Sequence, residues 1–276
     1  MKEMTIREVQ MVSLNILKDV HNFCLEHDIK YSLCGGSLIG AIRHNGFIPW
    51  DDDVNIIMPR PEYDRFINTY KSKNGYQLFS HEVKNGEKVR MRITKICDMT
   101  TTFVEKGPYV WTDVDTGIGI DIIPADGAPD TQKEAYKHIK KLKFRAKIIM
   151  FYCAKFAHWN DIKSFNKTTD KIKFLIKKIG GIFVNWDCIT SFIKLQKKFS
   201  YKQASYFCGG FKYGEKEWMP KNILEAFVLH KFEDTEFFVT EKYDLYLTRL
   251  FGNYMELPPD NQRESHDNIF HYYWKD

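Results

Sequence analysis

Between Thr5 and His27, apolar residues recur at Val9, Val12, Ile16, Val20 and Phe23, the spacing of one face of a helix. Tyr31 to Cys34 then reads as a short buried strand, Gly35-Gly36 as a tight turn, and Ser37 to Arg43 as a helix with Ser37 as its cap. Asp51 to Met58 is predicted as a strand, acidic at its start and apolar at its end. Val89 to Ile96 reads as another, in which Arg90 and Arg92 share a face and Lys95 points opposite. Gly117 to Pro124 is an apolar strand with one acid, Asp121, near its middle, closed by the turn residues Pro124-Ala125-Asp126-Gly127. Helices dominate from there to about residue 200, and Ile139 to Met150 and Lys171 to Lys178 are predicted as amphipathic helices with lysine-coated outer faces. Phe232 to Val239 reads as a strand and Tyr243 to Phe251 as a final helix. The chain has no repeats and no low-complexity tract.

Composition bounds this picture. With 276 residues, 43% hydrophobic and 28% charged, the chain can bury one substantial core or two smaller ones. No run of about 18 apolar residues is present to span a membrane, and Met1 to Glu8 lacks an apolar signal segment, so a cytoplasmic protein is expected. The six cysteines, Cys24, Cys34, Cys97, Cys153, Cys188 and Cys208, show no CxxC pairing and read as reduced thiols. Charge is uneven. Residues 131–200 hold 17 Lys or Arg against 4 Asp or Glu, a balance of +13, which leaves −8 elsewhere in a chain of net +5. That segment is either a set of solvated helix surfaces or a surface drawn to an anionic membrane or a lipid-diphosphate-linked glycan. Nucleic acid is not expected as a partner, because no recognition motif accompanies the charge.

The candidate chemistry lies in the first third of the chain. Gly35, Gly36 and Ser37 form a turn whose backbone can approach a phosphate closely. In a strand from Asp51, the side chains of Asp51, Asp53 and Asn55 share a face, their Cα atoms about 6.6 Å apart in succession. Oxygen ligands so arranged suit a hard cation such as Mg²⁺. Asp51, Asp53, Asn55 and Glu62 also match places in a calcium-binding EF-hand loop, but Ile56 stands where that loop needs glycine, and the apolar run favours a strand. Asp121, unpaired, would be costly to bury, so a cation or a set of donors is expected beside it. Arg43 and Lys95 are candidate phosphate contacts. The aromatic faces of Trp50, Tyr109 and Trp111 are candidate supports for a quaternary ammonium, although such residues are more often core.

Three motifs resemble the LicD family of phosphotransferases, of the nucleotidyltransferase-fold superfamily that includes fukutin-type relatives. They are Gly35 to Val54 (GGSLIGAIRHNGFIPWDDDV), Ile120 to Gly127 (IDIIPADG) and Tyr243 to Arg263, where Leu250 to Pro259 (LFGNYMELPP) looks like the C-terminal signature and is followed by Arg263 and His266. The resemblance implies an α+β fold, with a nucleotidyltransferase-like core and a small mixed β-sheet flanked by helices, plus a basic helical region. Residues 1–130 would form the core with its N-terminal helix, 131–200 the basic helices, and 201–276 a strand and helix packing back on the core. The implied reaction is transfer of a phospho-alcohol group, typically phosphocholine from CDP-choline, to a hydroxyl of a cell-surface glycan, with release of CMP. Asp51, Asp53, Asn55 and Asp121 would then hold Mg²⁺ or Mn²⁺, Asp121 or Asp53 would act as base, and Gly36, Ser37, Lys95 and Arg43 would contact the diphosphate. The family usually carries aspartate where this chain has Asn55. Asparagine keeps one oxygen of similar reach and loses the charge, so metal affinity is expected to fall. A catalytically silent relative that binds nucleotide or glycan, and a nucleotidyltransferase using an NTP, are the alternatives; aspartate is also expected where Asn253 stands.

Overall fold

The computed structural model describes residues 2–71, 73, 75–83, 89–105, 116–165, 167–185, 187–210, 212–260, 263 and 270–275. Tyr109, Trp111 and His266 lie outside them.

Helix α1 (Ile6–Glu26) opens with a capping box: the Thr5 amide donates to Glu8 Oε2 (2.7 Å), and the Glu8 amide donates to Thr5 Oγ1 (3.3 Å). Its predicted stripe from Val9 to Phe23 is buried. The first strand, β1 (Ser32–Leu33), leads into α2 (Gly35–Ile39), which continues as a π-helical turn, Gly40–His44. Gly35 starts that helix with φ +57°, a conformation glycine adopts without penalty. Ser37 therefore lies inside the helix rather than at its cap, a position taken by Cys34.

Strand β2 spans Asn55–Pro59, not Asp51 to Met58. The four residues before it are held as a loop: the Asp51 amide donates to Ile48 O (2.9 Å), and Gln10 Nε2 of α1 donates to Asp51 O (2.8 Å). Helix α3 (Arg60–Thr69) follows, then β3 (Tyr76–Phe79), β4 (Thr94–Asp98), β5 (Thr101–Glu105) and β6 (Gly119–Ala128). The expected turn at Pro124 is instead the middle of a ten-residue strand. Proline is tolerated there because β4 pairs with β6 only up to Ile122, while β7 (Tyr206–Cys208) pairs with it only from Asp126. The sheet order is β1-β2-β6-β4-β3, with β7 on the far end of β6 and β8 (Met219–Pro220) on β7. Among the described strands of this sheet only β2 and β6 run parallel, so the sheet is mixed, as in an α+β fold.

Helices α4 (Gln132–Ala154), α5 (Thr168–Ile182) and α6 (Asp187–Gln196) make up the basic region. Ile139, Leu142, Ile149, Tyr152, Ile189 and Phe192 form a second, smaller core that meets the sheet through Ala128 and Cys208. On α4 the lysines face outward as expected, but on α5 Lys178 is buried, and Ile172, Ile176 and Ile179 are exposed beside Lys173. No described helix is long and apolar enough to cross a membrane.

The predicted strand at Phe232 to Val239 is a hairpin, β9 (Phe227–Phe232) and β10 (Thr235–Thr240), turning at Glu233-Asp234. Glu233 has φ +58° without being glycine. Distant contacts hold it: its amide donates to Asn45 O (2.8 Å), and its carboxylate accepts from Arg7 (2.6 Å) and from the Phe47 amide (3.1 Å). Helix α7 (Tyr243–Phe251) packs on α2, and β11 (Phe270–Trp274) pairs with β5, so the C-terminal segment folds back onto the core. All six cysteines are free thiols.

Candidate active site

The strand registers align the candidate residues. Asn55 on β2 is the register partner of Asp121 on β6, and Asp121 is the partner of Lys95 on β4. Cross-strand partners point to one face, so Asn55, Asp121 and Lys95 form a row across three strands. The Asp121 amide donates to Val54 O (2.9 Å), which fixes the acidic loop to the row. Ser37 extends the row toward α2: its hydroxyl accepts from the Asn55 amide at 2.8 Å.

Gly36 and Asp51 meet directly, since a Cβ at Gly36 would lie 2.4 Å from Asp51 Oδ2. The glycine turn and the acidic run, 15 positions apart, therefore share one site. Asp52 points elsewhere: it is buried and accepts from the Tyr272 hydroxyl at 3.2 Å.

Lys95 Nζ is ion-paired with Asp121 Oδ1. Burial works against its charge, but Asp121, with smaller contributions from Cys97 and Asp53, outweighs it and leaves the ammonium harder to deprotonate than usual. Arg92 donates to Gly210 O (3.1 Å) and lies in the fields of Glu217 and Asp121. Burial pushes the Cys34 thiol well up, and Asp53, Asp121 and Glu217 push it further. Asp51, Asp53, Asp121 and Glu217 thus converge on one region from three parts of the chain. Among the described residues, no three His, Cys, Asp or Glu side chains are gathered closely enough to hold a metal ion as they stand. The Lys95 pair accounts for Asp121.

Arg43 and Trp50 are placed differently from Lys95. Arg43 donates to the carbonyls of Tyr254 (2.7 Å) and Glu256 (3.1 Å), joining the glycine-turn segment to the C-terminal motif. The Arg263 guanidinium lies over the Trp50 ring, 5.4 Å from its centroid, so a cation already occupies that aromatic face.

A family model described as LicD/FKTN/FKRP, nucleotidyltransferase domain, matches residues 28–151. Over 280 aligned residues, 96% of this chain and 97% of the relative, the chain is 33% identical to a lipopolysaccharide cholinephosphotransferase LicD of Haemophilus influenzae. The chain belongs to the LicD family. Shorter matches join it to uncharacterized proteins of Rickettsia typhi (42% over 86 residues, 30% of this chain and 28% of that one) and Rickettsia prowazekii (40% over 101 residues, 36% of each).

The LicD domain match ends at residue 151, yet the site draws on residues beyond it. Glu217 is buried and accepts from the Tyr213 amide (2.6 Å), and its charge reaches Cys34, Arg92, Tyr213 and Tyr246. Tyr213 also feels Asp53 and Asp51, and Tyr246 of α7 shares a hydrogen bond with the Cys34 thiol. Sequence reasoning missed Glu217, Tyr213 and Tyr246. The YGEKEW context of Tyr213 and Glu217 carries no catalytic pattern, Tyr246 is one aromatic residue of the C-terminal motif, and only the folding back of the C-terminal segment brings them to the site.

Proposed function

We propose that this LicD-family enzyme transfers phosphocholine from CDP-choline to a hydroxyl of a lipopolysaccharide or similar cell-surface glycan. The acceptor oxygen bonds to the phosphorus of the phosphocholine group, the bond from that phosphorus to the oxygen bridging to CMP breaks, and CMP leaves. The acceptor proton passes to Asp53 or Asp121. The row Asn55–Asp121–Lys95 beside Gly36 and Asp51 carries this reading, because it sets a cation and carboxylates beside the glycine turn.

The donor set at this row, carboxylates and one amide oxygen, has the chemistry of a Mg²⁺ or Mn²⁺ site, and Asp53, Asn55 and Asp121 are the residues we assign to it, with Asp51 adjoining. Such an ion supplies charge neutralisation on the diphosphate. Lys95 holds the same role from the protein side: its ammonium already sits on Asp121 and is positioned to turn to a phosphate oxygen. Gly36 leaves room for the Asp51 carboxylate, and Gln10 and Ser37 hold the loop and strand that present the acids. We place the enzyme in the cytoplasm, peripheral to the inner membrane face, where a lipid-linked acceptor is made accessible.

Asn55 favours one competing reading, a relative that binds donor or glycan without turnover. CMP release from CDP-choline, CDP-ethanolamine and CDP-ribitol, by the parent protein and by Asn55→Asp, separates the two. Turnover by either form supports the transferase. No CMP from either form with any donor refutes it, and pyrophosphate release from an NTP would identify a nucleotidyltransferase instead.

A further inference from the structure

Helix α5 presents its apolar side outward. At about 100° per residue, Ile172, Ile176, Ile179 and Phe183 fall within an arc of roughly 60°. That arc lies opposite Phe174 and Gly181, which are buried. Each of the three isoleucines is more than half exposed, and Phe183 is 85% exposed. The orientation is fixed by packing. A Cβ at Gly181 would lie 2.1 Å from Phe151 O of α4, so only a glycine face fits against α4 there. Lys178 is anchored inward on the carbonyls of Ala157 and Lys155. Turning the isoleucines inward would break both arrangements.

Such a helix, with an exposed apolar stripe and lysines at its margins, matches the physics of an element lying in a lipid headgroup layer. Lys171 flanks the stripe on one side and Lys173 on the other, and long lysine stems let the ammonium groups reach the headgroups while the stripe is immersed. The surrounding segment carries a net +13, which repels a second copy of the same face and attracts an anionic bilayer.

We propose that the outward face of α5, Ile172, Ile176, Ile179 and Phe183 with Lys171 and Lys173, docks the protein on anionic lipid membranes. The inference deepens the proposed function, since it places the transferase where a lipid-borne acceptor would lie, but its test needs no catalysis.

The test is co-sedimentation with vesicles of phosphatidylcholine alone and of phosphatidylcholine mixed with phosphatidylglycerol. The parent protein should bind the mixed vesicles and release from them as salt rises. Ile176→Asp/Ile179→Asp should abolish binding to both kinds. Lys171→Glu/Lys173→Glu should weaken binding to the mixed vesicles at least about thirtyfold, about fivefold per lysine, and leave binding to phosphatidylcholine unchanged. Unaltered melting and CMP release in these variants would show that only docking was removed. Failure of the parent protein to bind, equal binding by the aspartate variants, or light scattering showing a lipid-free dimer that Ile176→Asp/Ile179→Asp dissociates would each overturn the proposal. If vesicle binding failed while CMP was still released, the transferase reading would stand without it.

Discussion

The contact between Gly36 and Asp51 predicts the effect of adding one methyl group. In Gly36→Ala the new Cβ would lie 2.4 Å from Asp51 Oδ2, and ordinary contact begins at 3.4 Å, so the carboxylate must retreat by about 1 Å. A misplacement of that size at a reacting centre costs about a hundredfold in rate, or about 2.7 kcal/mol of transition-state stabilisation. Stability should move the other way. Gly36 is not among the residues with positive φ, the clashing atom is the end of a side chain that can swing, and alanine in a helix gains about 0.5–1 kcal/mol over glycine. The assay pairs kcat/KM for CMP release from CDP-choline with thermal unfolding. The expected result is a loss of about a hundredfold with an unchanged or slightly higher melting temperature. Activity within about threefold of the parent would refute the argument that Asp51 works from its place on Gly36, and a large fall in melting temperature would show that the lesion is not local.

Three further perturbations probe the frame and the site. Arg60 is buried and bidentate on Asp126 (2.6 Å to each oxygen), with a further bond to Glu82 (3.1 Å); Arg60→Met should strand Asp126, while Glu82 keeps its pair with Lys197 (2.5 Å), and cost about 3–5 kcal/mol in urea unfolding. Burial, with Lys198 and Lys141 nearby, lowers the His138 pKa from 6.5 to about 4, so the folded state keeps this ring neutral where the unfolded chain takes a proton. Its contribution, about 1–2 kcal/mol once solvent reaching the ring is allowed for, is complete above pH 6.5 and is lost as pH falls toward 4. His138→Gln should flatten the stability profile in that window and leave the profile near neutrality parallel to the parent's. Lys95→Met should free Asp121, tightening Mn²⁺ binding measured by electron paramagnetic resonance while slowing CMP release; weaker Mn²⁺ binding would contradict the assignment of both residues.

Much of the frame is legible because its signals are local. The capping box and stripe of α1, the strand leading to Gly35, the apolar run of β2 and the isolated acid of β6 each follow from residue type and spacing. The misreadings have a common origin in long-range contacts. Gln10 draws the start of the acidic run out of the sheet, and a change of strand partner lets β6 run through Pro124. The β9–β10 turn has no glycine because Arg7, Asn45 and Phe47 hold Glu233 in a left-handed conformation. Periodicity locates the α5 axis without telling which side faces inward, and Gly181 against Phe151 and Lys178 on the Ala157 and Lys155 carbonyls decide it. At the site, the row through Asn55, Asp121 and Lys95 joins residues that could be picked out singly, whereas Glu217 and Tyr213 arrive from a segment whose sequence carries no trace of the chemistry. Arg43, a candidate phosphate contact, also ties the C-terminal motif down, a role visible only once Tyr254 and Glu256 are placed.

A crystal structure of the protein with CDP-choline and Mg²⁺, without acceptor, bears on the assigned site most directly. The account predicts the diphosphate lying along Gly36 and Asp51, the ion on Asp53 and Asp121, and the Lys95 ammonium turned from Asp121 to a phosphate oxygen. A donor bound away from that row, or an ion held by other side chains, would contradict it.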